Sequence, residues 1–225
     1  MAPKTRRVFD ERAEELAAIG RRFYERGWVH GTSGNFSAVV QRKPMRLAIT
    51  PSSAHKGKLS ASQILEIDDK GRVTGEQSGR PSAETLLHLE IVKERGAGAV
   101  LHTHSVWSTI LSGHYAGNRG LTIEGYEMLK GLDGLSTHEH REWVPIVEND
   151  QDMRRLSRKV RAALANFKQA HAFIIARHGL YTWGASLSDA ERHVEILEFL
   201  FETIGRTQDW QRRPRRLRGD GSWRK

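Results

Sequence analysis

Residues 82–105 read SAETLLHLEIVKERGAGAVLHTHS, and this stretch decides the fold class. Ser82 is a candidate N-cap for a helix running to Arg95. Leu86, Leu89, Ile91 and Val92 supply its apolar positions, and the Gly96-Ala97-Gly98 triplet ends it. The string AVLHTHS follows at once with the composition of a buried strand. A helix handing directly to a strand is the unit of an α/β protein, and the rest of the chain repeats it.

Toward the N-terminus, Leu16, Ile19, Phe23 and Tyr24 share one face of a helix expected over Asp10–Arg26, stopped by Gly27. The loop WVHGTSGNFS follows, then short strands expected at Phe36–Val40 and Arg46–Thr50. Ser60 with Gln63 makes a capping-box pattern, and IDDKGRV reads as a hairpin turn. Toward the C-terminus, a helix expected at about Met153–Phe167 leads into the apolar strand AFIIA and then RHGLYTWG. Ser188 with Glu191 is the expected cap of a long amphipathic helix reaching about Thr207. The expectation is therefore one α/β domain over residues 1–207, helices covering a central sheet, followed by a basic tail at 208–225.

Composition narrows the function. With no cysteine, there is no disulfide framework, thiolate nucleophile or sulfur ligand, so any transition-metal site must use nitrogen and oxygen. The first fifteen residues carry charges where a secretory signal needs an apolar run, and no stretch approaches a membrane span, which predicts a soluble cytoplasmic protein. The net charge of +9 raises nucleic acid as a partner, but it is unevenly placed. From Arg206 to Lys225 there are eight basic and two acidic residues, so only +3 remains for the preceding 205. A nucleic-acid role would belong to the tail and not to the domain.

Three groups of residues could carry chemistry. His102 and His104 alternate along the expected strand and so face the same way, near enough to share an ion. His178, just before Gly179 at the end of another strand, is a candidate third ligand. Three neutral imidazoles leave coordination positions open, as a catalytic metal requires. The string THEH offers a competing pair, His138 and His140, with the same spacing.

Anion binding is the second theme. GTSGNFS presents backbone N–H groups and hydroxyls up to Asn35, and TPSSAHKG supplies Ser52, Ser53 and the cation Lys56. Ser82 stands where a helix N-terminus favours anions. Two carboxylates form the third group: Glu84, expected in the first turn of its helix, and Glu127 in GYEMLKG.

Taken together and in order, GTSGNFS, ITPSS, RPSAE, AVLHTHS and RHGLYTWG resemble the class II aldolase/adducin family over about residues 10–205. The resemblance implies a three-layer α/β/α sandwich with a mainly antiparallel central sheet. It implies one divalent metal per subunit, zinc by default, on His102, His104 and His178. Phosphate contacts would fall on Asn35, Ser52, Ser53 and Ser82, and the assembly would be a homotetramer. Ala83 departs from the aldolases, which carry a small polar residue there. Within the family, HTHSVWSTILS, EGYEMLKGL and THEHREWVPI look like the branch that dehydrates 5-methylthioribulose 1-phosphate in methionine salvage, in which Glu127 would be the acid/base. Glu84 corresponds instead to the carboxylate of the sugar-phosphate aldolases. The sequence thus leaves a dehydratase, a fuculose- or rhamnulose-phosphate type aldolase or an epimerase, and a metal-free adducin-like binding module to be separated.

Overall fold

The computed structural model describes residues 3–74 and 77–212. Its helices are α1 (Pro3–Glu25), α2 (Thr85–Arg95), α3 (Val106–His114), α4 (Met153–Asn166) and α5 (Leu187–Arg212). Its strands are β1 (Asn35–Arg42), β2 (Met45–Ile49), β3 (Leu65–Asp68), β4 (Ala99–Thr103), β5 (Gly120–Glu124), β6 (Arg141–Val147), β7 (Ala172–Ile175) and β8 (Gly179–Gly184). They form one eight-stranded sheet in the order β3-β2-β1-β4-β8-β7-β6-β5, and β6 with β7 is its parallel pair.

Strand alternation builds the layers. Phe36 and Ala38 of β1 and Ala99 and Leu101 of β4 point to one face and pack with Leu16 and Phe23 of α1 and Ala190 and Val194 of α5. Val100, Phe173, Ile175, Tyr181 and Trp183 point to the other face, against Leu87 and Ile91 of α2 and Leu156 and Val160 of α4. Each fully buried Leu, Ile or Phe contributes about 1.5–3 kcal/mol of hydrophobic stabilisation, so both faces need a helical cover. The expected three-layer sandwich with a mainly antiparallel sheet is what forms.

Local boundaries differ from the sequence reading in instructive ways. Ser82 does not cap α2; the helix starts at Thr85, with Glu84 in the N-cap position and making no capping bond. Ser82 holds the preceding turn, accepting from the Glu84 N–H at 3.2 Å. The last helix is capped by Ser186 and Asp189, two residues earlier than expected. Asp189 Oδ2 accepts from the Ser186 N–H at 3.1 Å, while Glu191 pairs with Arg22 of α1 at 2.7 Å. That helix continues to Arg212, five residues past the expected domain end; of the basic tail, residues 213–225 lie outside the described residues. The sequence reading does not contain helix α3 or strands β3, β5, β6 and β8.

Candidate metal and substrate site

The site assembles where β1, β4 and β8 lie side by side. Register places Asn35 opposite His102 and His102 opposite Tyr181, so three functional side chains form a row across three neighbouring strands, on the face covered by α2. His102 and Tyr181 stack at 3.9 Å between ring centroids. The strands must approach closely for this. A Cβ on Gly179 would stand 2.0 Å from the Thr103 carbonyl oxygen, and one on Gly34 would stand 2.7 Å from that of His102.

His104 lies one residue beyond β4, its backbone N–H donating to the Trp28 carbonyl at 2.8 Å. His178 sits in the short β7–β8 turn, closed by its own N–H donating to the Ile175 carbonyl at 3.0 Å. Arg177, just before it, holds φ 54, and Ser53 in the adjoining loop holds φ 60. Non-glycine residues in this region are strained by about 1–3 kcal/mol, and such strain gathers at functional sites.

The three expected ligands converge. His104 Nε2 stands 2.8 Å from His102 Nε2 and 3.1 Å from His178 Nε2. Glu84 closes the group, with Oε2 at 3.4 Å from His102 Nε2 and Oε1 at 3.3 Å from His178 Nε2. One ligand atom from each of the four residues falls within 4.8 Å of all the others.

The protonation chemistry fits a cation. His102 Nδ1 donates to the Leu180 carbonyl at 2.8 Å, so its Nε2 offers a lone pair to the centre of the cluster. Burial, with His178 and Lys56 nearby, pushes His104 down to about 3, and burial with the neighbouring imidazoles holds His102 well below the usual range. Three imidazoles facing one another with a carboxylate beside them form a donor set that a divalent ion would satisfy. Tetrahedral bonds of about 2.0–2.1 Å to nitrogen call for donors about 3.3 Å apart, close to the spacing here.

The cluster opens onto a cavity of about 310 Å³. Asn35, Ser52, Ser53, Lys56, Ser82 and Glu84 all line it, so every expected anion-binding residue is brought to one place beside His104 and His178. The loop at 51–53 is bridged to that at 81–83 through Pro51 and Pro81, and the Ser52 N–H donates to the Arg80 carbonyl at 2.8 Å. Lys56 is buried and donates to the Thr32 and Ala54 carbonyls at 3.1 and 2.9 Å, and burial lowers its ammonium to about 8. It therefore ties the two donor loops together as well as placing positive charge at the cavity. Ser33 in the same wall has a buried hydroxyl without a hydrogen-bond partner among the described residues.

Two outcomes differ from expectation. Glu127 is not brought to the cluster: it opens a short 3-10 turn on the surface, its side chain 72% exposed, 2.5 Å from Lys130 Nζ and 3.7 Å from His138 Nδ1. The competing THEH pair does not form a metal-capable group among the described residues, since His138 faces Glu127 and His140 binds Glu142 at 2.9 Å. Sequence reasoning missed Asn149 and Gln151 of the β6–α4 connection and Met153 at the start of α4, which line the cavity. Nothing in the string ENDQDM marks them. Tyr181 could have been found by alternation from Gly179.

A family model for the Class II Aldolase and Adducin N-terminal domain matches residues 14–204. The chain belongs to the class II aldolase and adducin family. Among curated relatives, methylthioribulose-1-phosphate dehydratase of Methylococcus capsulatus is 48% identical over 195 residues, covering 86% of this chain and 93% of the relative. The enzyme of the same name from Sorangium cellulosum is 42% identical, covering 86% and 91%. Among solved structures, an L-fuculose 1-phosphate aldolase superposes with a TM-score of 0.73 at 23% identity, covering 89% of this chain and 87% of that one. The class II aldolase fold is thus common to enzymes named for carbon–carbon cleavage and for dehydration. No helix among the described residues is long and apolar enough to cross a membrane.

Proposed function

We propose that this chain is a hydro-lyase that dehydrates 5-methylthioribulose 1-phosphate to 2,3-diketo-5-methylthiopentyl 1-phosphate, a reaction of methionine salvage in the cytoplasm. The observation that carries it is the convergence of His102, His104 and His178 at the floor of a donor-lined cavity, in a chain 42–48% identical to enzymes of that name.

His102, His104 and His178 would hold one divalent cation, with zinc the default for imidazole donors. When bound, it would act as a Lewis acid toward substrate oxygens and lower the cost of removing the proton beside the ketone. The chain's own residues then divide the remaining work. Ser52, Ser53 and Ser82, with Asn35 and the Lys56 charge, bind and orient the C1 phosphate, fixing C3 and C4 over the imidazoles. A carboxylate removes the C3 proton, the C4 hydroxyl leaves as water on receiving a proton, and the resulting enol tautomerises to the diketone.

Glu127 is our acid/base. It lies outside the cavity of its own chain, so this reading has a second copy supply it, within a homo-oligomer that the family resemblance makes a tetramer. The exposed Met128 next to it, and Val106 and Ile110 on α3, suit such a contact. Co-expressing a Glu127→Gln chain with a His102→Asn chain tests this, because mixed assemblies regain activity only if the two residues act across copies.

An aldolase reading is favoured by one observation: the carboxylate beside the imidazoles is Glu84 and not Glu127. Incubating the zinc-loaded protein with methylthioribulose 1-phosphate and, separately, with fuculose 1-phosphate decides between them. Diketone from the first supports dehydration; an aldehyde with dihydroxyacetone phosphate from the second, and no diketone from the first, overturns it.

A further inference from the structure

Behind the cavity runs a buried hydrogen-bonded chain whose inner members, Ser37 and His88, take no part in the proposed dehydration. Ser37 Oγ lies 2.8 Å from His88 Nδ1, His88 Nε2 lies 2.5 Å from Asn35 Oδ1, and Asn35 Nδ2 donates to Glu84 Oε2 at 2.6 Å. We propose that His88 is a positioning residue which, by holding the Asn35 amide in one orientation, fixes the Glu84 carboxylate against the imidazoles of His102 and His178. The inference rests on the reading of those imidazoles as the metal and substrate site.

The Asn35 amide sets the direction of every bond in the chain: its NH₂ donates to Glu84 Oε2 at 2.6 Å. The Asn35 oxygen then faces His88 and requires Nε2 to carry the hydrogen. Nδ1 is left as an acceptor for the Ser37 hydroxyl. His88 can serve only as the neutral Nε2–H form, and its surroundings enforce this: it is fully buried on α2, and burial alone pushes it down to about 3.

The arrangement also revises the part played by Asn35. Its oxygen and one of its two N–H bonds are committed inside the protein, leaving a single N–H for a substrate oxygen at the cavity wall. Without a donor at the His88 Nε2 position, nothing keeps the Asn35 oxygen turned inward. A flipped amide would set that oxygen against the Glu84 carboxylate, and the two would repel. Glu84 would then leave the position from which it closes the cluster, and misplacement by about 1 Å can cost about a hundredfold in rate.

Two side chains separate this from a packing role. The amide of glutamine reaches the place of Nε2, whereas that of asparagine reaches only the place of Nδ1. His88→Gln should keep kcat within about threefold of the parent, while His88→Asn should lower it about tenfold or more, with KM moving less than about threefold in both. In the Co²⁺-substituted protein, the visible absorption spectrum should change for His88→Asn and not for His88→Gln. Imidazole ¹⁵N spectra of the full-length parent, with the His88 signal assigned by its loss in His88→Gln, should show the neutral Nε2–H tautomer near neutral pH. Equal loss of kcat in both variants, a loss of kcat that follows Tm with an unchanged Co²⁺ spectrum, or an Nδ1–H or cationic His88 would each overturn the proposal. The two spectra stand without turnover, so a parent that failed to dehydrate the ketose would refute the proposed function and still leave the positioning role decided.

Discussion

His102-Thr103-His104 and His138-Glu139-His140 carry the same spacing, and the fold uses them differently. The first pair begins inside a fully buried strand flanked by β1 and β8, so alternation holds and a third imidazole arrives from the next turn. The second lies in the turn before β6, where no strand geometry aligns the rings. His138 goes to the surface beside Glu127, and His140 turns to the buried Glu142. Spacing supplies a possible pair of ligands; burial and sheet register decide whether the pair meets.

Protonation separates the two regions as well. At His102 and His104 burial wins and both rings stay neutral. In the second region His171 Nδ1 faces Glu142 at 3.1 Å and Nε2 faces the Asp133 carbonyl at 2.8 Å. Both partners only accept, so the ring carries both protons. Burial opposes this, but the Glu142 hydrogen bond and charge outweigh it and raise the His171 pKa.

Replacing one member of the first pair should have the largest effect. His104→Ala removes a ligand, and kcat/KM should fall about a thousandfold or more, about 4 kcal/mol of transition-state stabilisation, with bound metal lost in parallel. In the second region the largest effect should be on folding. Glu142→Gln leaves the half-buried His171 cation without its counter-charge and should cost about 2 kcal/mol in denaturant unfolding, with catalysis little changed per folded molecule. Glu127→Gln should lower kcat about a hundredfold while metal content and KM hold, and near-normal turnover would remove it from the mechanism.

The pH dependence of stability in metal-free protein should then show two limbs of opposite sign. His88 binds its proton more readily unfolded, so its contribution is complete above about 6.5 and is lost as pH falls toward about 3. His171 binds its proton more tightly when folded, so its contribution is complete below about 6.5 and is lost as pH rises through its raised folded value. In thermal melts across pH, His88→Gln should make the acid limb shallower, His102 and His104 carrying part of what remains, and His171→Gln should flatten the alkaline one. The smallest effect belongs to His138→Ala, an exposed ring, which should change stability by less than about 0.5 kcal/mol and leave metal content unchanged.

The reading from sequence was clearest where burial and periodicity agree. The helix and strand of residues 82–105 and the strand β7 were legible for that reason, and so were the three imidazoles. It failed where the signals compete. Strand β6, REWVPIV, opens with two charges and contains Pro145, and β5 is an edge of five residues. Helix α3 follows β4 almost at once, and its cap, Ser105, reads equally well as the end of the strand. Two overlapping capping patterns begin the last helix; the earlier one forms, through reciprocal Ser186–Asp189 bonds, and Glu191 of the later one pairs with Arg22 instead. Glu84 read as a first-turn acid because the chain turns once more between Ser82 and Thr85 before the helix begins, and that turn is what frees its carboxylate for the site.

The most direct test of the account is the metal content of purified full-length protein compared with His178→Ala, both exchanged into zinc and freed of loose ion. The account predicts about one tightly held zinc per parent chain and almost none in the variant, because His178 reaches the pair from a different strand connection and completes it. A His178→Ala protein that keeps its zinc as firmly as the parent would contradict it.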